Sequence, residues 1–249
     1  MTLRRFYAPT AAFDIANARA TLDAAEARHL KDVLRLRIGD EVLVFDGEGH
    51  EFKARIEEIL AQKIRLHLLE EAPPSSPESP VEITLALALL KGEKLDLVIQ
   101  KATELGISKV VLFTSEHADV KVRTTADGLQ RVDRLERIAL EAAKQSGRAK
   151  VPVIEGPFTL QELLSTTTVA HRLLFSERDG EPLDELTKPR EGADIIFVVG
   201  PEGGWAESEL EAARAAGWTV VTLGGRVLRA ETAAIAVLAI LQNLFGDLN

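Results

Sequence analysis

Cysteine is absent from this 249-residue chain, and that absence removes disulfides, thiolate metal sites and cysteine nucleophiles together. A reducing, cytoplasmic setting is the simplest expectation. The five histidines, His29, His50, His67, His117 and His171, show no HExxH or other ligand spacing, so no metal is expected. No apolar run approaches the roughly 20 residues that a membrane helix needs, and Met1-Thr-Leu-Arg-Arg-Phe6 lacks the apolar core of a signal peptide. No membrane partner is expected. Excess positive charge is missing too: 30 Lys and Arg stand against 39 Asp and Glu, a net charge of −9. Indiscriminate nucleic-acid binding through counterion release is therefore disfavoured. A local basic face is still allowed, and basic residues do cluster: Arg4-Arg5; Arg28, Lys31, Arg35 and Arg37; Lys91 and Lys94; Lys121 and Arg123; Lys144, Arg148 and Lys150. Taken singly, each is more simply a solvated surface charge.

What is present is a globular composition, 46% hydrophobic and 28% charged, with one clear break. Ala72-Pro-Pro-Ser-Ser-Pro-Glu-Ser-Pro80 cannot extend a helix or a central strand, so residues 73–80 read as a linker. In residues 1–72, strand-length apolar clusters at 41–45, 51–56 and 63–68, a turn at Asp46-Gly-Glu-Gly49 and a helix over 24–36 predict a small β-barrel domain. In residues 81–249 the pattern alternates. Strands are predicted at 81–90, 108–114, 151–154, 172–175, 195–199 and 219–223, and helices at 95–105, 129–146 and 207–216. Such alternation implies an α/β domain with a mostly parallel sheet covered on both faces. The last helix has no polar residue over 233–241. It must be wedged into the fold or pressed against a second subunit.

Two glycine-bearing turns follow two of these strands. Ile195-Ile-Phe-Val-Val runs into Gly200-Pro-Glu-Gly-Gly204, and Thr219-Val-Val-Thr-Leu223 runs into Gly224-Gly225 and Arg226-Val-Leu-Arg-Ala-Glu-Thr232. Turns at the ends of α/β strands are where ligands bind, and glycine lets the backbone approach them closely. Neither turn has the Lys and Ser/Thr of a phosphate-binding loop or the GxGxxG of a dinucleotide site, so a nicotinamide enzyme is a weak alternative. Gly200-Pro-Glu-Gly-Gly204 by itself is equally well an ordinary strand-to-helix turn with Glu202 at the helix dipole. Arg229 and Glu231, beside the apolar helix, are either an ion pair with Thr232 as helix cap, or Arg229 faces a ligand.

These residues resemble a known family. Gly200-Pro-Glu-Gly-Gly204 with Leu223-Gly-x-Arg-Val-Leu-Arg-x-Glu-Thr-Ala233 is similar to the C-terminal signature of RsmE-type ribosomal RNA methyltransferases of the SPOUT superfamily. His29-x3-Val-Leu-Arg35 with Gly39-Asp40, Lys91-Gly and Asp96 with Ile99-Gln-Lys-Ala-Thr-Glu-Leu-Gly106, and Glu141-Ala-Ala-x-Gln-Ser-Gly-Arg148 extend the resemblance along the chain. Two departures stand out: Ala230 where threonine is frequent, and Ser115-Glu-His-Ala118 in place of a more basic segment.

The resemblance implies a PUA-like barrel followed by an α/β domain with a deep trefoil knot, a homodimer, S-adenosylmethionine as cofactor, and methylation of uracil N3 in small-subunit ribosomal RNA, free or in the assembled 30S subunit. It implies a cofactor site formed by Phe175, Ser176, Val199, Gly200, Pro201, Glu202, Gly203, Gly204, Leu223, Gly224, Val227, Leu228, Arg229, Thr232 and Ala233, with Arg229, Glu231 and Glu202 as catalytic candidates. RNA would be held by Arg4, Arg5, Arg35, Arg37, Lys91, Lys94 and Arg148. A ribose 2′-O-methyltransferase of the same superfamily and a non-catalytic RNA-binding assembly factor are the alternatives.

Overall fold

A computed structural model of the chain describes residues 3–118, 124–183 and 194–248. The chain divides into two compact units, Met1–Glu78 with Leu140–Val151, and Ser79–Ala139 with Pro152–Asn249.

The first unit is built on β1 (Arg4–Tyr7), β2 (Phe13–Asp14), β3 (Arg19–Leu22), the short helix α1 (Ala24–Arg28), β4 (Glu41–Phe45), β5 (Glu51–Ile59) and β6 (Ile64–Ala72). The strands form one mixed sheet in the order β1-β4-β5-β6-β3-β2, parallel only between β1 and β4. Alternation puts Val42 and Val44 of β4 and Ala54 and Ile56 of β5 on the same buried face, with Phe6, Leu22, Ile64 and Leu66. Two register shifts between β5 and β6 increase the local twist, and the sheet curls. The helix predicted over 24–36 is shorter. Asp23 caps it by accepting from Ala25 N and Glu26 N, each at 2.9 Å, but from His29 to Val33 the turns widen, and Arg35 adopts φ +56.

This unit ties two arginines into paired sites, one of them buried and the other nearly so. Arg5 lies over the Phe45 ring at 3.8 Å, pairs with the fully buried Glu51 at 3.0 Å and donates to the carbonyls of Ala143 and Arg148. Arg148, itself buried, pairs with Glu78 at 2.6 Å. Both sites satisfy the demand that a buried charge be paired and hydrogen-bonded.

The second unit contains β7 (Ile83–Ala88), α2 (Lys94–Glu104), β8 (Lys109–Thr114), most of α3 (Thr125–Ser146), β9 (Val153–Thr159), α4 (Leu160–Thr166), β10 (His171–Phe175), β11 (Glu181–Pro182), β12 (Ile195–Val199), α5 (Glu207–Ala215), β13 (Thr219–Thr222) and α6 (Ala230–Phe245). Among its described residues, seven strands run all parallel, in the order β11-β13-β10-β12-β7-β8-β9. Every residue of β12 is buried, as expected of a central strand covered on both faces.

Helix α6 departs from the expectation that an apolar helix is buried all round. Ala234, Val237, Leu238, Leu241 and Gln242 are buried, while Ile235, Ala236, Ala239 and Ile240 are only half-buried and Leu244 is exposed. A single chain covers one stripe of the helix. Among the described residues, no helix is long and apolar enough to cross a membrane.

Gln242 anchors the far end of α6. Its Nε2 donates to the Leu105 carbonyl at 2.8 Å, and its Oε1 accepts from Ser79 Oγ at 2.8 Å. Gln242→Leu would keep the volume but leave those two groups without their partner. A loss of about 2 kcal/mol is expected in denaturant unfolding, and an unchanged midpoint would show that water replaces the amide.

Candidate functional site

Strands β10, β12 and β13 end level with one another, Phe175 lying opposite both Val199 and Val221. The three loops that leave these ends enclose a cavity of about 590 Å³, within the range of small-molecule sites. Because β12 inserts between β10 and β7, the chain order reverses here, as at the ligand-binding crevice of open α/β sheets.

Of the residues expected at a cofactor site, Phe175, Ser176, Val199, Gly200, Pro201, Glu202, Gly203, Gly204, Leu223, Val227, Leu228, Arg229 and Ala233 line this cavity. Gly224 and Thr232 are not part of the lining. Gly224 has φ +57 with nothing near its missing Cβ, so it is there to make the turn. Lys94, Glu177, Trp205, Arg226 and Ala230 also line the cavity and were not expected there.

Gly200 and Gly203 are glycines for reasons of space. A Cβ on Gly200 would sit 2.7 Å from the Trp205 ring, which is held in place by its indole N–H donating to the Phe175 carbonyl at 2.9 Å. Trp205 is buried and lies parallel to Phe113. A Cβ on Gly203 would meet the Cβ and carbonyl oxygen of His117 at 3.0 Å. The 115–118 segment therefore packs on the glycine turn, and it is secured by Glu209, whose carboxylate accepts from Glu116 N and Ala206 N, each at 3.0 Å.

The charges are arranged differently from the pairing considered between Arg229 and Glu231. Lys94, from the first turn of α2, donates to Glu202 and lies 3.6 Å from Glu231 Oε1. The hydrogen bond to Glu202 raises the ammonium of Lys94 above the usual lysine range, so it stays charged. Among the described residues, Arg229 has no carboxylate within ion-pair distance, and it is exposed at the cavity wall. Arg229 is also the N-cap of α6, and its side chain makes no capping hydrogen bond; Thr232 lies within the helix and is not the cap.

Of the basic residues expected to hold RNA, Arg4, Arg35, Arg37 and Lys91 are exposed. Arg5 and Arg148 are committed to the buried pairs of the first unit, and Lys94 belongs to the cavity. Lys121 and Arg123 lie outside the described residues. Lys94 had no sequence signal for this position, since it stands 108 residues from Glu202. Trp205 did have one: a large aromatic directly after a double glycine.

Residues 77–242 match the family model described as an RNA methyltransferase domain, and residues 22–69 match an RNA methyltransferase PUA domain. The ribosomal RNA small subunit methyltransferase E of Rickettsia conorii is 32% identical over 85% of this chain and 84% of its own length. The Synechocystis protein of the same name is 33% identical over 90% of this chain and 73% of its own. In structure, the ribosomal RNA small subunit methyltransferase E of Neisseria gonorrhoeae, bound to S-adenosyl methionine, superposes with a TM-score of 0.87 at 33% identity, covering 100% of both chains.

Proposed function

Given that this chain belongs to the ribosomal RNA small subunit methyltransferase E family, we propose that it transfers a methyl group from S-adenosylmethionine to N3 of one uridine in small-subunit ribosomal RNA. The observation that carries the reading is the cavity at the ends of β10, β12 and β13, with glycine where a Cβ would collide and Arg229 unpaired by any described carboxylate. The residues fit the cofactor. Phe175, Val199, Leu223 and Leu228 offer an apolar wall to an adenine ring, and the glycine turns offer backbone donors and acceptors to its polar edge.

S-adenosylmethionine, when bound, supplies an electrophilic methyl group on a sulfonium centre. The chain must do the rest. Uracil N3 carries a proton and no available lone pair, so that proton has to leave as the new bond forms. The negative charge spreads onto the two carbonyl oxygens, and the guanidinium of Arg229 stabilises it. A carboxylate receives the proton, either Glu202 or Glu231. N3 lies on the pairing edge, so the uridine must be unpaired or flipped out of its stack.

The remaining features are part of the same reading. Residues 1–72 serve as a PUA-like RNA-holding domain, 73–80 as linker and 81–249 as the catalytic domain with its C-terminal trefoil knot. Arg4, Arg35, Arg37 and Lys91 contact RNA, and the protein works in the cytoplasm without a metal. The half-buried stripe Ile235, Ala236, Ala239 and Ile240 supports a homodimer. Sedimentation at micromolar concentration is expected to give a dimer, and a monomer that still methylates would remove this element.

The decisive test uses the purified protein, labelled S-adenosylmethionine and undermethylated small subunits, followed by nucleoside analysis. Label in 3-methyluridine is expected. Label on a ribose 2′-oxygen would replace the reaction, and RNA binding without saturable cofactor binding would point to an assembly factor.

A further inference from the structure

The charges around Lys94 distinguish the two carboxylates that N3 methylation leaves open. Resting on that reading, we infer that Glu202 is the catalytic proton acceptor, that Lys94 is the positioning residue that holds it, and that Glu231 anchors Lys94 from outside the cavity.

Three observations carry this. Glu202 lines the cavity and Glu231 does not. The Glu231 side chain is 12% exposed, with Oε2 buried and lacking a hydrogen-bond partner among the described residues, whereas that of Glu202 is 25% exposed. Lys94 bridges them, its Nζ donating to Glu202 Oε1 and lying near Glu231 Oε1. Two carboxylates around one ammonium keep the proton on Lys94, so Lys94 is not itself the base. Its ammonium confines the Glu202 carboxylate to one orientation on the turn of residues 200–204, whose backbone is set by Gly200 against Trp205. Without the bridge, Glu202 would be a mobile carboxylate on the cavity wall.

The step balances without another reactant. The N3–H bond breaks and its proton passes to a carboxylate oxygen of Glu202. The electron pair left on N3 forms the N–CH3 bond, and the S–CH3 bond breaks with its pair remaining on sulfur. Glu202 then returns the proton to water. Arg229 meets the charge on the uracil oxygens, so cation and base are separate residues.

The experiment measures single-turnover methyl transfer to undermethylated small subunits across pH for wild type, Glu202→Gln, Glu202→Asp, Lys94→Met, Lys94→Arg and Glu231→Gln, with cofactor affinity by calorimetry and melting temperature for each. Glu202→Gln is expected to lower the rate about 10²–10⁴-fold, with cofactor affinity retained and the acidic fall of the wild-type profile abolished. Glu202→Asp keeps a carboxylate of shorter reach, so the acidic fall should persist at reduced rate. Lys94→Met should cost about a hundredfold, with partial rescue by Lys94→Arg and a milder loss in Glu231→Gln. A Glu202→Gln protein with wild-type rate and profile would overturn the assignment, as would loss of the acidic fall in Glu231→Gln instead. If wild type itself yields no 3-methyluridine, the reaction is wrong and the proposal falls with it, whatever the variants do.

Discussion

Arg229→Ala is expected to lower the single-turnover rate by about 10²–10³, equivalent to about 2.7–4 kcal/mol, the loss of one donor to a developing anion. Cofactor affinity should change little. The structural alternative, an ion pair between Arg229 and Glu231, predicts a lower melting temperature instead. That pair is not formed: Glu231 lies by Lys94, and Arg229 is exposed on the cavity wall. The melting temperature should therefore be nearly unchanged. The shape of the pH profile is the sharper readout. With its carboxylate base intact, the variant should keep the acidic fall of wild type. Its rate should go on rising at alkaline pH, where wild type has levelled, because uracil must now ionise without the guanidinium. Parallel profiles would end the catalytic role. Weakened cofactor binding with an unchanged rate at saturation would move Arg229 to the cofactor carboxylate.

The second large effect is expected at Gly200. Valine there would drive into the Trp205 ring, since even the first added carbon lies 2.7 Å from it. The ring cannot yield cheaply. It is buried, lies parallel to Phe113 and donates to the Phe175 carbonyl, and both Phe175 and Trp205 line the cavity. Movement of Trp205 would therefore disturb the β10 and β12 loops together. Calorimetry is expected to show S-adenosylmethionine binding weakened on the order of a hundredfold, about 2.7 kcal/mol. Gly224→Ala provides the contrast. Among the described residues its Cβ meets no atom within 4 Å, but it must hold φ +57, a strain of about 1–2 kcal/mol on folding. Its affinity should fall far less. Equal losses in the two variants would mean that strain, not space, governs the site.

Much of this arrangement was legible in the chain itself. The strand at 195–199 is reproduced residue for residue as β12, because five consecutive β-branched and aromatic residues before Gly200-Pro201 admit little else. The helices predicted at 95–105 and 207–216 agree with α2 and α5 to within a residue at each end, since each has an apolar stripe at helical spacing. The N-terminal strands carry a weaker local signal. Arg4–Tyr7 and Arg19–Leu22 are short and carry no lasting alternation, and they are strands because β4 and β6 offer them edges to pair with. Residues 233–241 of helix α6 are apolar all round. How much of it one chain covers is a matter of packing alone.

Local pattern, then, determined where strands end in glycine, which helices are amphipathic and which family the motifs resemble, because backbone preference and side-chain periodicity act over a few residues. It could not assign partners to charges. Arg229 and Glu231 are neighbours in sequence, yet Glu231 turns to Lys94, which α2 delivers from the other half of the same sheet. Arg5 and Arg148 read as surface cations, yet Arg148 is buried and Arg5 nearly so, because Glu51 and Glu78 meet them there. An ion pair is set by distances of a few ångströms between side chains that here stand 108 residues apart for Lys94 and Glu202, and only the folded chain fixes those distances.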